Sequence, residues 1–149
     1  MTTRQKQSTS SSLVALWLHE ARELKKLADL CWHADEGIQQ QIEEGRLHGV
    51  AKTLLQEGLE AEADLNWLFN NLAAFAVYYL ALAVLTRRNP QRFAKNPPAQ
   101  RLVELIQECG VTLSALQETF LRRVENWFTQ YKHTPVSYTH LTLPTKRIV

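Results

Sequence analysis

Residues 72–85, LAAFAVYYLALAVL, form an apolar run with no charge, whose only strongly polar groups are two tyrosine hydroxyls; Arg87 and Arg88 follow at once. A helix apolar on every side needs either a bilayer or a wrap of other helices. The run holds 14 residues. As a helix these rise about 21 Å, short of the roughly 30 Å hydrocarbon layer of a membrane. Extending the span back to Trp67 draws Asn70 and Asn71 into it. Trp67 and the Arg87–Arg88 pair do imitate an aromatic anchor and a positive flank, so a single-span membrane protein stands as a third reading. The other apolar stripes in the chain need a surface to pack on, and a central helix supplies it. The run therefore reads as a core helix, with no membrane partner expected.

Those stripes have helical spacing. Trp17, Ala21, Leu24, Ala28, Cys31, Ile38 and Ile42 recur at intervals of three, four or seven behind an N-cap at Ser11 or Ser12. Glu43, Glu44 and Gly45 close that helix, with Gly37 as an earlier stop. A second stretch starts near Arg46 and aligns Leu47, Val50, Ala51, Leu54 and Leu55, with Gly58 as its weak point. Residues 60–88 then run without a breaker to Asn89–Pro90. NPQRFAKNPP reads as a loop, Pro97 and Pro98 as the first turn of the next helix, and Gly110 as its left-handed terminator. Thr112 or Ser114 caps a last helix carrying Leu113, Leu116, Phe120, Val124, Trp127, Phe128 and Tyr131. No strand and no repeat is found. The fold class is all-α: an antiparallel bundle of four to five helices around one very apolar helix.

Three segments follow. Residues 1–11 are polar and serine-rich and read as a disordered leader, residues 12–135 as the bundle, and 136–149 as a tail of different origin. VSYTHLTLPT in that tail resembles the in-frame translation of a transposase-type sequencing-library adapter. The natural frame is expected to be cut near Pro135, so the tail is set aside as an artefact. Lys146 and Arg147 stand in it; without them the 17 basic residues fall to 15 and match the 15 acidic ones. The apparent excess of base is then no sign of a polyanionic partner. Charge is uneven all the same: residues 1–64 hold 7 Lys/Arg against 11 Asp/Glu, and residues 65–135 hold 8 against 4. The N-terminus shows no hydrophobic signal region, and Cys31 and Cys109 stand apart with no CxxC pair. A reducing, cytoplasmic setting is expected.

Catalytic patterns are weak. HEARE at 19–23 lacks the second histidine of a HExxH zinc site, and no Glu-x-x-His occurs for a carboxylate-bridged di-metal bundle. His19 with Glu23, and Asp29 with His33, read as surface polar pairs. Cys109 with His133 would put a nucleophile at a helix C-terminus, the end that disfavours a thiolate. No GxSxG elbow and no glycine-rich phosphate loop is present. No catalytic residue, metal or cofactor is expected. What remains is a basic stretch: Arg87, Arg88, Arg92, Lys95 and Arg101 with no acid among them. Together with helix amides near Pro98, these would grip a phosphate, and Phe93 would stack on a base. The bland reading is a solvated loop whose arginines suit a helix C-terminus.

FAVYYLALAVLTRRNP, PAQRLVELIQECGVTLS and WFTQYKHTP follow one another in the order and spacing of the HEPN domain family, which residues 65–135 resemble. The resemblance implies a small helical domain that binds a nucleotide or RNA, that pairs with a nucleotidyltransferase-type protein of the toxin–antitoxin kind, and that forms homodimers. Tyr78 and Leu82 stand where the family's helix has Glu and Lys, and Gln100–Arg101 where it has His-Asp. Many members are ribonucleases using an Arg and a His four to six residues apart. No Arg here has a His at that distance downstream, so no ribonuclease motif is expected. The alternative is a non-catalytic structural or adaptor bundle acting by protein–protein interaction.

Overall fold

No glycine or proline interrupts residues 2–32, and nothing in that stretch halts a helix. The computed structural model, which describes residues 2–32, 40 and 49–130 (2–10 as backbone alone), has one helix there, α1, Thr2–Trp32. Ser11 and Ser12 consequently lie inside α1, and the cap expected at them does not form. Ala21, Leu24, Leu27, Ala28 and Cys31 are buried and Trp17 half-buried, as the stripe requires. Ile38, Ile42 and the proposed stops at Gly37 and 43–45 lie outside the described residues.

Helix α2 spans Gly49–Glu60 and buries Val50, Ala51, Leu54 and Leu55. Gly58 does not interrupt the helix. It is buried in the helix, and a Cβ there would meet the Trp67 ring at 3.1 Å, so the missing side chain admits the indole. The expected run through residues 60–88 is broken at 61–64. Glu62 adopts a left-handed conformation (φ 54°). Its N–H donates to Leu59 O at 3.2 Å, and the Ala63 N–H to Gly58 O at 2.8 Å, the bond pattern that closes a helix C-terminus. Asp64 then caps the next helix by accepting from the Trp67 N–H at 2.9 Å.

That next helix, α3, Leu65–Arg88, is the apolar run with its flanks. Leu72, Phe75, Tyr78, Leu82 and Leu85 are almost fully enclosed. Among the described residues α3 alone is long and apolar enough to cross a membrane, and two-thirds of its most apolar window is buried within the protein. Helix α1 lies along it over the longest contact, with the last helix on a second side. Asn89 ends α3 as expected, its N–H donating to Leu85 O at 2.9 Å. The same residue caps a single turn, α4 (Pro90–Phe93), with Pro90 in the first turn and Asn89 Oδ1 accepting from the Arg92 N–H. The stretch read as pure loop therefore holds a helical turn.

Pro97 and Pro98 precede α5, Leu102–Glu108, without joining it. The Tyr78 hydroxyl donates to the Pro98 carbonyl at 3.0 Å, tying this strap to the core helix. Gly110 (φ 83°) closes α5 as expected. Ser114, not Thr112, caps α6, Ala115–Gln130, in a reciprocal box. The Gln117 N–H donates to Ser114 Oγ at 3.1 Å, and the Ser114 N–H to Gln117 Oε1 at 2.9 Å. Phe120, Leu121, Val124, Trp127 and Phe128 are buried, whereas Leu116, placed on the apolar stripe by its spacing, is 62% exposed. Phe75 sits edge-on to Tyr78, Trp127 and Phe128 at centroid distances of 6.0, 5.1 and 6.1 Å, joining α3 to α6. Six helices are traced among the described residues against the four to five expected, the single turn α4 being an unexpected one, and no described residue is in a strand. The bundle is all-α.

Candidate functional site

The cations singled out in the sequence sit at the C-terminal end of α3 and beyond it. Arg87, Arg88, Arg92 and Lys95 are exposed and form no ion pair among the described residues. Two features expected with them are missing. Phe93 is only 6% exposed and packs in the core, with the Arg92 guanidinium 4.9 Å from its ring centroid, so no face is left to stack on a base. The helix start expected near Pro98 falls at Leu102, whose N–H donates to the Glu125 carboxylate at 3.1 Å. A carboxylate of α6 thus holds the amide assigned to a phosphate. Arg101 is left-handed (φ 58°) and faces Glu108 at 3.6 Å. Arg87, Arg88, Arg92 and Lys95 remain as an exposed basic stretch.

A second set of arginines was missed. Between α2, α3 and α6 lies a cleft of about 550 Å³. Glu57 stands on one wall, Trp67 and Asn71 on another, and Arg122, Arg123 and Trp127 on the third. Two hydrogen bonds tie its lining side chains. Trp127 Nε1 donates to Glu57 Oε2 at 3.3 Å, and Asn71, 5% exposed, donates its amide to the Trp67 carbonyl at 2.8 Å. Arg122 is committed to acids, lying 3.2 Å from Glu118 and 3.6 Å from Glu104; the Glu118 hydrogen bond pushes its pKa up further. Arg123 has no such partner among the described residues, and its Nε is shut off from solvent with no acceptor. The sequence did carry a signal: Thr119, Arg122, Arg123, Asn126 and Gln130 form a polar stripe on α6 beside Trp127.

A third feature is apolar. Phe69, Ala73, Val77, Leu80 and Val84 make one stripe of α3 that its neighbours cover only in part, Leu80 being 48% exposed. With Ala21, Ala28 and Phe120 part of this stripe lines a groove of about 370 Å³ rimmed by Arg22, Lys25 and Asp29.

The remaining candidates behave as surface or core. Glu23 pairs with Lys26 at 3.3 Å and Asp29 with Lys25 at 3.0 Å. No group of three His, Cys, Asp or Glu that could hold a metal lies among the described residues. Burial pushes the Cys31 thiol up to about 11, so it stays protonated at neutral pH. Burial, with Tyr78 and Glu20 nearby, also raises Tyr79 well above the phenol range. His33 and His133 lie outside the described residues. No family model matches the chain, and neither a curated protein nor a solved structure matches it.

Proposed function

We propose that the protein is a non-catalytic helical module that binds the phosphate of a nucleotide or RNA through Arg87, Arg88, Arg92 and Lys95. The observation that carries this reading is four exposed cations, with no acid partner among the described residues, within nine consecutive residues at the end of a long helix. Guanidinium forks match phosphate geometry, and unpaired ones give up no ion pair on binding. The likeness of residues 65–135 to the HEPN domain supports the same ligand class. Arg101, engaged by Glu108, contributes less, and Phe93 contributes no stacking.

Binding of a labelled single-stranded RNA and of a labelled nucleotide, followed by anisotropy across a salt series, tests this. Affinity is expected to fall steeply with salt, with a log–log slope of about −0.7 per phosphate neutralised on a single strand. Replacing Arg87, Arg88 and Arg92 together by Ala should flatten the slope by about two and weaken binding at every salt concentration. Unchanged binding by the triple variant rejects the reading.

The partly covered stripe of α3 favours a second reading, an adaptor whose groove receives an apolar helix face, from a second copy or from a nucleotidyltransferase-type partner.

A further inference from the structure

We propose that the groove over α3 seats a second copy of this chain, the two molecules meeting about a two-fold axis with their α3 helices antiparallel; this rests on the adaptor reading and names its occupant. The face has the spacing of paired helices. Phe69, Ala73, Ala76, Leu80 and Val84 follow at intervals of four, three, four and four, one straight stripe about 22 Å long. Neighbouring helices leave Phe69, Ala73 and Val84 half-buried and Leu80 48% exposed. At the Phe69 end Trp32 leans on that ring, 5.0 Å between centroids, and is itself 66% exposed. An apolar face of this extent, rimmed by charges, marks a surface that another helix face covers.

The order of residues along the face selects a second copy. Two identical antiparallel helices related by a two-fold axis set together residues equally far from that axis on either side. An axis level with the Ala74–Phe75 midpoint sets Phe69 opposite Leu80 of the second copy and Ala73 opposite Ala76, so large side chains flank a close approach of small ones. Helix α1 repeats the symmetry in charge. An axis level with the Lys25–Lys26 midpoint sets Arg22 opposite Asp29 and Asp29 opposite Arg22. Both residues rim the groove, and Arg22 has no acid partner among the described residues. Asp29 meets Lys25 of its own chain at 3.0 Å, and its second oxygen can take the guanidinium as well. One axis serves both helices. Trp17 lies against Tyr79 and Trp32 against Phe69, so α1 runs antiparallel to α3, with Leu24–Lys25 level with Ala74. The two axis positions therefore agree to about 2 Å along the helices. A face about 22 Å long and two helices wide covers on the order of 500 Å² of each copy, at the lower bound of specific interfaces, which implies association in the micromolar range.

Sedimentation equilibrium of the full chain, from micromolar to several hundred micromolar, tests this. A monomer–dimer equilibrium is expected, and Leu80→Glu should weaken it about tenfold or more by burying a charge in the contact. Arg22→Asp and Asp29→Arg each set like charges across the axis and should weaken association about tenfold. Combined in one chain, or mixed as two single variants, they set opposite charges together again and should restore association to near the parent value. Arg22 and Asp29 are exposed, so the swaps decide the matter even if Leu80→Glu fails to fold. The proposal is overturned by a parent chain that stays monomeric throughout, by association that Leu80→Glu leaves unchanged, or by single swaps that the combined variant does not rescue. For a monomeric parent, an apolar fluorescent dye separates this failure from that of the adaptor reading. Dye bound by the parent and not by Leu80→Glu leaves the groove to a different helix, whereas no dye binding removes the adaptor reading as well.

Discussion

Arg87, Arg88 and Arg92 at one end of α3, and Arg122 and Arg123 near the other, present the same side chain in opposite settings. The first group is crowded in sequence but exposed in space, with no acid partner among the described residues. The second is two residues in a helix otherwise ordinary in charge, yet the fold sets them among two indoles, two asparagines and a carboxylate. An open patch meets its ligand in water, where each contact is weak and salt screens it. In the cleft Arg122 stays exposed and paired with acids of its own neighbourhood, and only Arg123 is partly covered. Local charge density therefore shows in the sequence as a run of cations, while a cleft depends on which helices the core brings together.

Both regions hang on one aromatic joint, which gives the largest expected effect. Phe75 touches Tyr78, whose hydroxyl holds the strap at Pro98, and also Trp127, which lines the cleft. Phe75→Ala should cost about 3–5 kcal/mol, the range for emptying an enclosed aromatic site. Chemical denaturation should show one cooperative transition at a lower midpoint, with basic patch and cleft lost together. Two transitions would mean that the regions are stabilised separately.

How legible each region was follows from the distance over which its determinants act. The apolar stripes of α1, α2, α3 and α6, the end of α3 at Asn89–Pro90, the terminator at Gly110 and the cap at Ser114 are set by residues close in sequence, and they were readable there. The break at 61–64 was hidden because Glu62 fills a position usually given to glycine. Phe93 looked available for stacking since its neighbours are basic, but the packing of α4 puts it in the core. Glu125 reaches Leu102 across 23 residues, a pairing that no local pattern announces. The cleft needs three helices at once, so its residues read only as a polar stripe.

Glu125 offers a smaller and more local way to sharpen the contrast, since it anchors the far end of the basic strap to α6, the helix that lines the cleft. Glu125→Ala leaves the Leu102 N–H without its carboxylate and should cost about 1–2 kcal/mol, as the loss of a helix cap does. Glu125→Gln keeps an acceptor and should recover most of that loss in urea unfolding. Tryptophan fluorescence of the cleft should stay close to that of the parent in both. A large change there would show that the strap and the cleft are mechanically coupled.

The smallest effect comes from two strained residues, one beside each region. Glu62 (φ 54°) makes the turn that sets Glu57 and Trp67 on facing walls of the cleft, and Arg101 (φ 58°) makes the turn into α5. A side chain in the left-handed region costs about 1–2 kcal/mol, partly offset when glycine replaces it because glycine loses more backbone entropy on folding. Glu62→Gly should therefore raise stability by about 0.5–1 kcal/mol, with a higher urea midpoint and an unchanged slope. Arg101→Gly relieves the same strain but gives up the exposed pair with Glu108, and pairs so exposed contribute little. Its gain should be equal or slightly smaller. A loss of stability at Glu62 alone would mean that its side chain helps hold the cleft walls, which would make the cleft dependent on its turn in a way the basic patch is not.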